Sequence, residues 1–572
     1  MSEITKEVIK AYALQNALSH EGKAQQGAIL AGLFTHGLKK ENIKETLPKI
    51  QEVVKEVNSM KLSEQDTEFL KLQELVHKRE RREGLPELKN AEDRKVVMRF
   101  APFPSGPLHI GNTRQVILND EYCKQYKGKL ILVMDDTIGS EEKPVLNEAY
   151  KLIKEGLDWL DIKYDKEIIY KSDRLKIYYK HADEMIKKSY MYVCNCSQED
   201  FQELKKKGID CPCRHLPAEE HEKRWELMFD KEKSQQGSFV VRLKTSMQDP
   251  DPAFRDRVMF KISDRIHPRV KDKYRVWPSL DFSWAVDDHL LGITHIIRGI
   301  DLQMETKVEE FIWEIFKWNK PSIEHTGLFS IKDIKLSKSK GVKEVKSGKY
   351  SGWDDPRLWS LQSLEQRGLV PEAIRDFILN MGVTKSNSVV PVDVLYTLNR
   401  KYLEEGEKPT PRYSFVQNPV KITIKAAPSI ETEIQLHPSK QIGKKFYDLN
   451  QEFYISEEDS ENMIDDKYYR LMHLYTIQPH RIKPASSREF RFITQEQDPT
   501  LQAKAINWVP AQIEKFKTKI RMPTGEYIEG LAESAIEKLK QGQVIQFERF
   551  GFCRLKQIDK KTQTAEFWFA HF

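Results

Sequence analysis

The run Phe100-Ala101-Pro102-Phe103-Pro104-Ser105-Gly106-Pro107-Leu108-His109-Ile110-Gly111-Asn112 carries more structural information than any other part of this chain. An apolar run, Val96-Val97-Met98, precedes it, so the segment reads as a strand, a Pro/Gly turn and the start of a helix. Such a junction turns unpaired backbone N–H groups and the positive end of a helix dipole toward an anion. Downstream, Lys335-Leu336-Ser337-Lys338-Ser339 puts two flexible ammonium groups in a loop suited to gripping phosphate as point charges. Taken singly, a His at a strand–helix junction is more often structural, and a Lys-rich run such as 335–349 is ordinary solvated surface. Gly106-x-x-x-x-Gly111-Asn112-Thr113 nearly spells a P-loop. Asn112 stands where that motif needs the Lys that reaches the β- and γ-phosphates, which excludes a Walker nucleotidase.

Composition sets the outer bounds. The 572 residues exceed one hydrophobic core and predict about three to five domains. With 39% hydrophobic and 31% charged residues the chain reads as soluble and globular, and nothing approaches the ~18 apolar residues of a membrane span. Met1-Ser2-Glu3-Ile4-Thr5-Lys6 has no apolar core, so no secretory signal is expected and the reading is cytoplasmic. The net charge of +6 is modest, but cations gather at Lys205-Lys206-Lys207, Arg265 to Arg275 and Lys332 to Lys349, which suits a phosphate backbone, with solvated faces as the alternative.

Four of the six cysteines, Cys194, Cys196, Cys211 and Cys213, form two Cys-x-Cys pairs, and His215 follows. In a cytosolic protein this spacing argues for Zn²⁺ rather than disulfides. Four thiolates, or three with His215, complete a tetrahedral shell; accidental clustering is the alternative. Cys123 and Cys553 stand alone and read as packing residues.

Along the chain, residues 1–93 read as helices, with Ile43, Leu47, Ile50, Val54 and Val57 at helical spacing, as an appended module for protein or RNA contact or a stabilising extension. Residues 94–190 alternate. A strand over 96–101 leads to a helix over about 110–127, strand Leu130 to Met134 ends at Asp135-Asp136-Thr137, a helix spans Val145 to Leu160, and Ile168 to Tyr170 precedes another helix. This is the grammar of a parallel, Rossmann-like sheet with ligands at the strands' carboxyl ends, where His109 and Asp135 fall. Residues 191–275 read as an insertion holding the cysteines. The sheet pattern returns over 276–345, first at Trp277 to Phe282 and then at His295 to Gly299. A helical region spans 346–408. Residues 409–572 read as all-β barrels, with alternation in Val420 to Lys425 and Phe567 to Phe569.

The two opening segments, in this order and context, resemble the HIGH and KMSKS elements of class I aminoacyl-tRNA synthetases. The chain as a whole resembles the archaeal-type glutamyl-tRNA synthetases, the branch that shares a β-barrel anticodon region with the glutaminyl enzymes. The likeness runs from the helix at Ala11 to Leu18 through Arg99 to His109, Asp135 to Thr137, the cysteine cluster, Val286-Asp287-Asp288-His289, Gly292 to His295 and Gly352 to Arg357. It continues through Phe415-Val416, Asn418-Pro419-Val420, Arg470-Leu471-Met472 and Gln546 to Gly551.

The resemblance implies that L-glutamate is activated with ATP and Mg²⁺ to glutamyl-adenylate and passed to the terminal adenosine of tRNA(Glu). In that reading His109, Lys335 and Lys338 are catalytic. ATP is cradled by Pro102, Ser105, Gly106, His109, Gly111, Asn112, Lys335, Ser337 and Lys338. Arg99, Asp135 and Arg298 bind the amino acid: Arg99 a carboxylate, Asp135 the α-ammonium, Arg298 the γ-carboxylate. Two departures are visible: Asn112 replaces the second His of HIGH, and Leu280 stands where relatives often carry Tyr. The rival readings are a glutaminyl-tRNA synthetase, which Arg298 opposes, an enzyme that also charges tRNA(Gln), and a non-catalytic RNA-binding paralogue, which would be expected to lose His109, Lys335 or Lys338. Tyr413, Phe415, Trp508 and Arg549 are candidates for contact with anticodon bases, with barrel core as the alternative for all four.

Overall fold

The computed structural model describes residues 4–18, 22–76, 84–138, 143–334, 338–482 and 487–572. Backbone proximity divides the chain into two units, Met1–Pro86 and Glu87–Phe572. No helix among the described residues is long and apolar enough to cross a membrane.

The first unit is helical: Lys6–Leu18, Gln26–His36, Ile43–Ser59 and Leu62–Leu72. Their apolar stripes meet in a core that includes Ile9, Leu14, Leu33, Ile50 and Val57. In Ile43–Ser59 the buried positions are Thr46, Ile50, Val53 and Val57, so Val53 faces inward while Val54 is only partly covered.

The second unit opens with three parallel strands, Val97–Phe100, Lys129–Met134 and Ile169–Tyr170. A parallel pair, His295–Gly299 with Ser322–Thr326, lies alongside, joined through Thr294, whose N–H donates to Val97 O and whose Oγ1 accepts from Val97 N. These strands end at the same side, which brings Ala101, Asp135 and Arg298 together from distant parts of the chain. Helix Ile110–Gln125 follows the Pro/Gly turn and is capped from its own sequence. Gly111 N donates to His109 Nδ1 at 3.0 Å, and His109 N donates back to Asn112 Oδ1 at 3.2 Å.

The insertion is a four-stranded antiparallel sheet, Met191–Cys194, Val240–Leu243, Val258–Ile262 and Val276–Pro278. This corrects the expectation at Trp277 to Phe282. The strand stops at Pro278, pairs with the inserted sheet, and gives way to helix Leu280–Leu290, whose Ser279 cap accepts from Phe282 N at 3.4 Å. Pro278 has no N–H to extend a ladder, and Ser279 starts the helix.

Helices Leu361–Arg367, Pro371–Met381 and Val392–Glu405 lead to two seven-stranded sheets with separate cores. The strands interleave in sequence: Arg412–Tyr413 and Phe415–Gln417 join those of Lys515–His571, while the strands from Pro419–Lys425 to Val509–Pro510 form the other sheet, except Ile430–Gln435 and Lys444–Leu449, which pair as a separate hairpin. Thr564–His571 does not alternate. Phe567, Trp568 and Phe569 are all buried because the strand sits centrally, between Gly551–Asp559 and Lys515–Arg521, and Ala570 packs beneath Leu403. Tyr413, Phe415 and Trp508 are likewise core residues, 3–5% exposed, and so present no face for base stacking. Arg549 is engaged by Asp459 at 2.9 and 3.2 Å.

Candidate active site

A cavity of about 860 Å³ opens at the carboxyl ends of the parallel strands. Arg99, Pro102, Ser105, His109, Gly111, Asn112, Asp135 and Arg298, named from sequence alone, all line it. Gly106 is not part of this wall. It turns toward Trp353, where a Cβ would stand 3.3 Å from Cη2 of the indole, at a φ of +155°. Lys335 and Ser337 lie outside the described residues, as does the side chain of Lys338, the first residue of helix Lys338–Lys346.

At the turn, the Nδ1 of His109 accepts from Gly111 N, which places the proton of a neutral ring on Nε2, a donor. Neighbouring backbone is pinned from the helical region: Ile110 N donates to Trp359 O at 3.1 Å, and Leu361 N donates to Leu108 O at 2.9 Å. The first turn of the helix therefore meets the cavity in a fixed orientation.

Opposite the turn, three buried cations each hold a buried carboxylate. Arg99 grips Asp288 through Nε and Nη2, the latter at 2.9 Å. Lys171, fully buried, places Nζ 2.9 Å from Asp135 Oδ1 and donates to Ser283 Oγ at 2.9 Å. Arg298 donates through Nη1 and Nη2 to Glu309 at 2.8 and 2.6 Å. Trp284 stands among them, its ring centre 4.5 Å from the Arg99 guanidinium, 5.0 Å from Lys171 Nζ and 5.5 Å from the Arg298 guanidinium. Cation–π attraction and ion pairing thus fix the same groups. Burial pushes the Asp135 and Glu309 carboxyls up, while Lys171 and Arg298 pull them back toward ionisation.

Lys171, Trp284, Asp288 and Glu309 escaped the sequence reading as site residues. The carboxylate that Arg298 holds is Glu309, eleven residues on and in the following helix. The one available signal lay in helix Leu280–Leu290, where Trp284 and Asp288 fall four apart and share a face.

Away from the cavity, Cys194, Cys196, Cys211 and Cys213 converge with all sulfurs within 4.8 Å of one another. Neighbouring sulfurs are 3.3, 3.6 and 3.8 Å apart. Zinc held by four sulfurs at about 2.3 Å sets them about 3.8 Å apart, so the donor set fits. His215 is not in the cluster: its ring is 66% exposed and turned to Asp210, at 3.4 Å. The four-cysteine set is the one the fold assembles.

A family described as tRNA synthetases class I (E and Q), catalytic domain, matches residues 95–405. Its anticodon-binding domains match residues 410–494 and 484–556. A glutamate–tRNA ligase of Methanocaldococcus jannaschii is 39% identical over 97% of this chain and 98% of its own length. Ligases of the same description from Methanothermobacter marburgensis (38%, covering 99% of this chain and all of the relative) and Pyrococcus abyssi (39%, covering 97% and 98%) are similar throughout.

Proposed function

The chain belongs to the class I tRNA synthetases of the E and Q type, and on that footing we propose that it ligates L-glutamate to tRNA(Glu). The supporting observation is one cavity wall with a capped helix start on one side and Asp135, Arg99 and Arg298 on the other. Phosphates suit the first; an ammonium and two carboxylates suit the second.

The α-carboxylate of glutamate attacks the α-phosphorus of ATP, the bond to the β-phosphate oxygen breaks, and pyrophosphate leaves. The 2′-hydroxyl of the terminal adenosine then attacks the acyl carbon of the mixed anhydride, giving the ester and AMP. The Nε2–H of His109 and the N–H groups after it donate to phosphate oxygens as charge gathers there. Lys335 and Lys338 neutralise the β- and γ-phosphates. Mg²⁺, when bound with the nucleotide, adds Lewis-acid stabilisation of the leaving pyrophosphate. Asp135, paired with Lys171, receives the α-ammonium. Catalysis comes from positioning and charge stabilisation, so no nucleophilic side chain is required.

Zn²⁺ would be held by Cys194, Cys196, Cys211 and Cys213 and would staple the insertion, far from the chemistry in role. The helices before residue 86 are offered as a protein-contact module. A glutaminyl enzyme on the same frame is the second reading, and Arg298 in the cavity wall opposes it, since a neutral amide offers a guanidinium donor one acceptor oxygen instead of two. Aminoacylation of purified tRNA(Glu) and tRNA(Gln) with labelled glutamate and glutamine tests the proposal. Glutamate on tRNA(Glu) is expected, and preference for glutamine overturns it. Transfer of glutamate to tRNA(Gln) would extend the substrate range to both RNAs.

A further inference from the structure

Two donors in the cavity wall have nothing to donate to. Arg298 turns both terminal nitrogens onto Glu309, and its buried Nε meets no acceptor among the described residues. The indole Nε1 of Trp284 is also buried without an acceptor. Both residues line the same cavity at 4% and 5% exposure, with 5.5 Å between the guanidinium carbon and the ring centre. Trp277 Nε1 and the Nε of Arg114, Arg242, Arg367, Arg412 and Arg521 are orphaned too, but none of these residues lines the cavity. Native chains rarely leave buried donors unmet, and two in one wall call for an acceptor that arrives with the ligand.

The surrounding groups narrow what that acceptor is. Asp135, Asp288 and Glu309, the buried carboxylates around Trp284, are each already matched by a cation. These three buried couples balance in charge, and the two orphan donors beside them still lack an acceptor. Glu309 occupies the end-on fork of Arg298, and of the guanidinium's three nitrogens the Nε alone is left without a partner among the described residues. We infer that the γ-carboxylate of glutamate takes one hydrogen bond from the Nε–H of Arg298 and one from the indole N–H of Trp284. Trp284 is then a specificity-determining residue, and Glu309 a positioning residue that aims Arg298. The inference rests on the reading of this cavity as the glutamate site. It also changes how glutamine is refused: with the charge of Arg298 balanced by Glu309, selection depends on two fixed donors. A carboxylate satisfies both, whereas an amide sets its own N–H₂ against one of them.

The test is W284F, which keeps an aromatic plate beside the three cations and deletes the N–H. In tRNA charging, KM for glutamate is expected to rise about ten- to a hundredfold, the scale of one hydrogen bond to a charged group. The preference for glutamate over glutamine should fall with it, while kcat at saturating glutamate and KM for ATP hold. A purely structural role would lower thermal stability without moving that preference. An unchanged KM for glutamate overturns the assignment. Should W284F not fold, the wild-type chain carries ten tryptophans, and ¹⁵N-indole spectra with tRNA present give a second reading. One indole N–H should move downfield when glutamate is added, and no movement overturns the inference. Failure of the wild-type chain to charge tRNA with glutamate would instead remove the site reading beneath it.

Discussion

Arg521 donates from Nη2 to Oδ2 of Asp355 at 3.0 Å, which ties a C-terminal strand to the loop beneath the Gly106 turn. Asp355 is fully buried and also accepts from Ser351 N and Oγ, both at 3.0 Å, and from Arg357 Nε and Nη2, both at 2.7 Å. Two residues before it, Trp353 packs on Gly106 and donates to Glu148 Oε1 at 2.8 Å. One carboxylate therefore joins the far sheet, this loop and the floor of the phosphate turn.

Removing that charge is expected to be costly. Burial opposes the charge of Asp355, yet Arg357, the Ser351 backbone and Arg521 hold its carboxyl well below the usual range. D355N leaves two guanidinia facing a neutral amide, and the expected loss is about 3 to 5 kcal/mol of stability. Chemical denaturation of the full chain measures it.

H109A deletes the donor at the helix start together with the cap on Gly111 N, a stability cost of about 1 kcal/mol. The charging rate is expected to drop roughly 10²- to 10³-fold, with KM for glutamate little changed. Steady-state kinetics at saturating ATP, alongside a melting curve, separates this from unfolding.

For the cysteine cluster the expected content is one zinc per chain by elemental analysis. C211S should lose the metal, because Cys211 lies within 3.6 Å of Cys194 and 3.3 Å of Cys196. Thermal stability should fall with it, since metal binding and folding are coupled.

His571 supplies a pH dependence. Its Nε2 is 2.9 Å from Asn399 Nδ2, a donor, and its Nδ1 is 2.9 Å from Phe572 O, an acceptor, so the ring is neutral with the proton on Nδ1. Burial, with Arg400 and Arg367 adding to it, holds the pKa down at about 4 against an ordinary 6.5. The unfolded chain takes up this proton first as pH falls. The contribution of the neutral ring is thus complete above about pH 6.5 and lost progressively toward pH 4, at most about 3 kcal/mol. Denaturation across this range should show the decline, and H571Q should flatten it.

What could be seen in the sequence was what local chemistry dictates. The strand, the Pro/Gly turn and the capped helix from Val97 to Gln125 follow from residues within a few positions of one another. The two Cys-x-Cys pairs were legible for a different reason, since four thiols of one donor type within twenty residues suit a single metal. Lys171, Trp284 and Glu309 were hidden because their partners come from separate strands and helices, and no spacing rule links Lys171 to Asp135. Trp277 to Phe282 misled because an apolar run suits either sheet until Pro278 and Ser279 are weighed as strand end and helix start. Tyr413, Phe415 and Trp508 looked like RNA-facing aromatics, yet interleaving of the two sheets draws them inside.

The indole of Trp284 sits amid three opposite-charge couples whose sum is zero. Dissolved ions act on charge that reaches water, and these couples do not. Capture of the amino acid should accordingly stay level as ionic strength climbs, while the grip on a polyanion, made by exposed lysines and arginines, loosens steeply. Under osmotic stress the hold on the small substrate and the hold on the large one would part company, and RNA engagement would set the output of the enzyme.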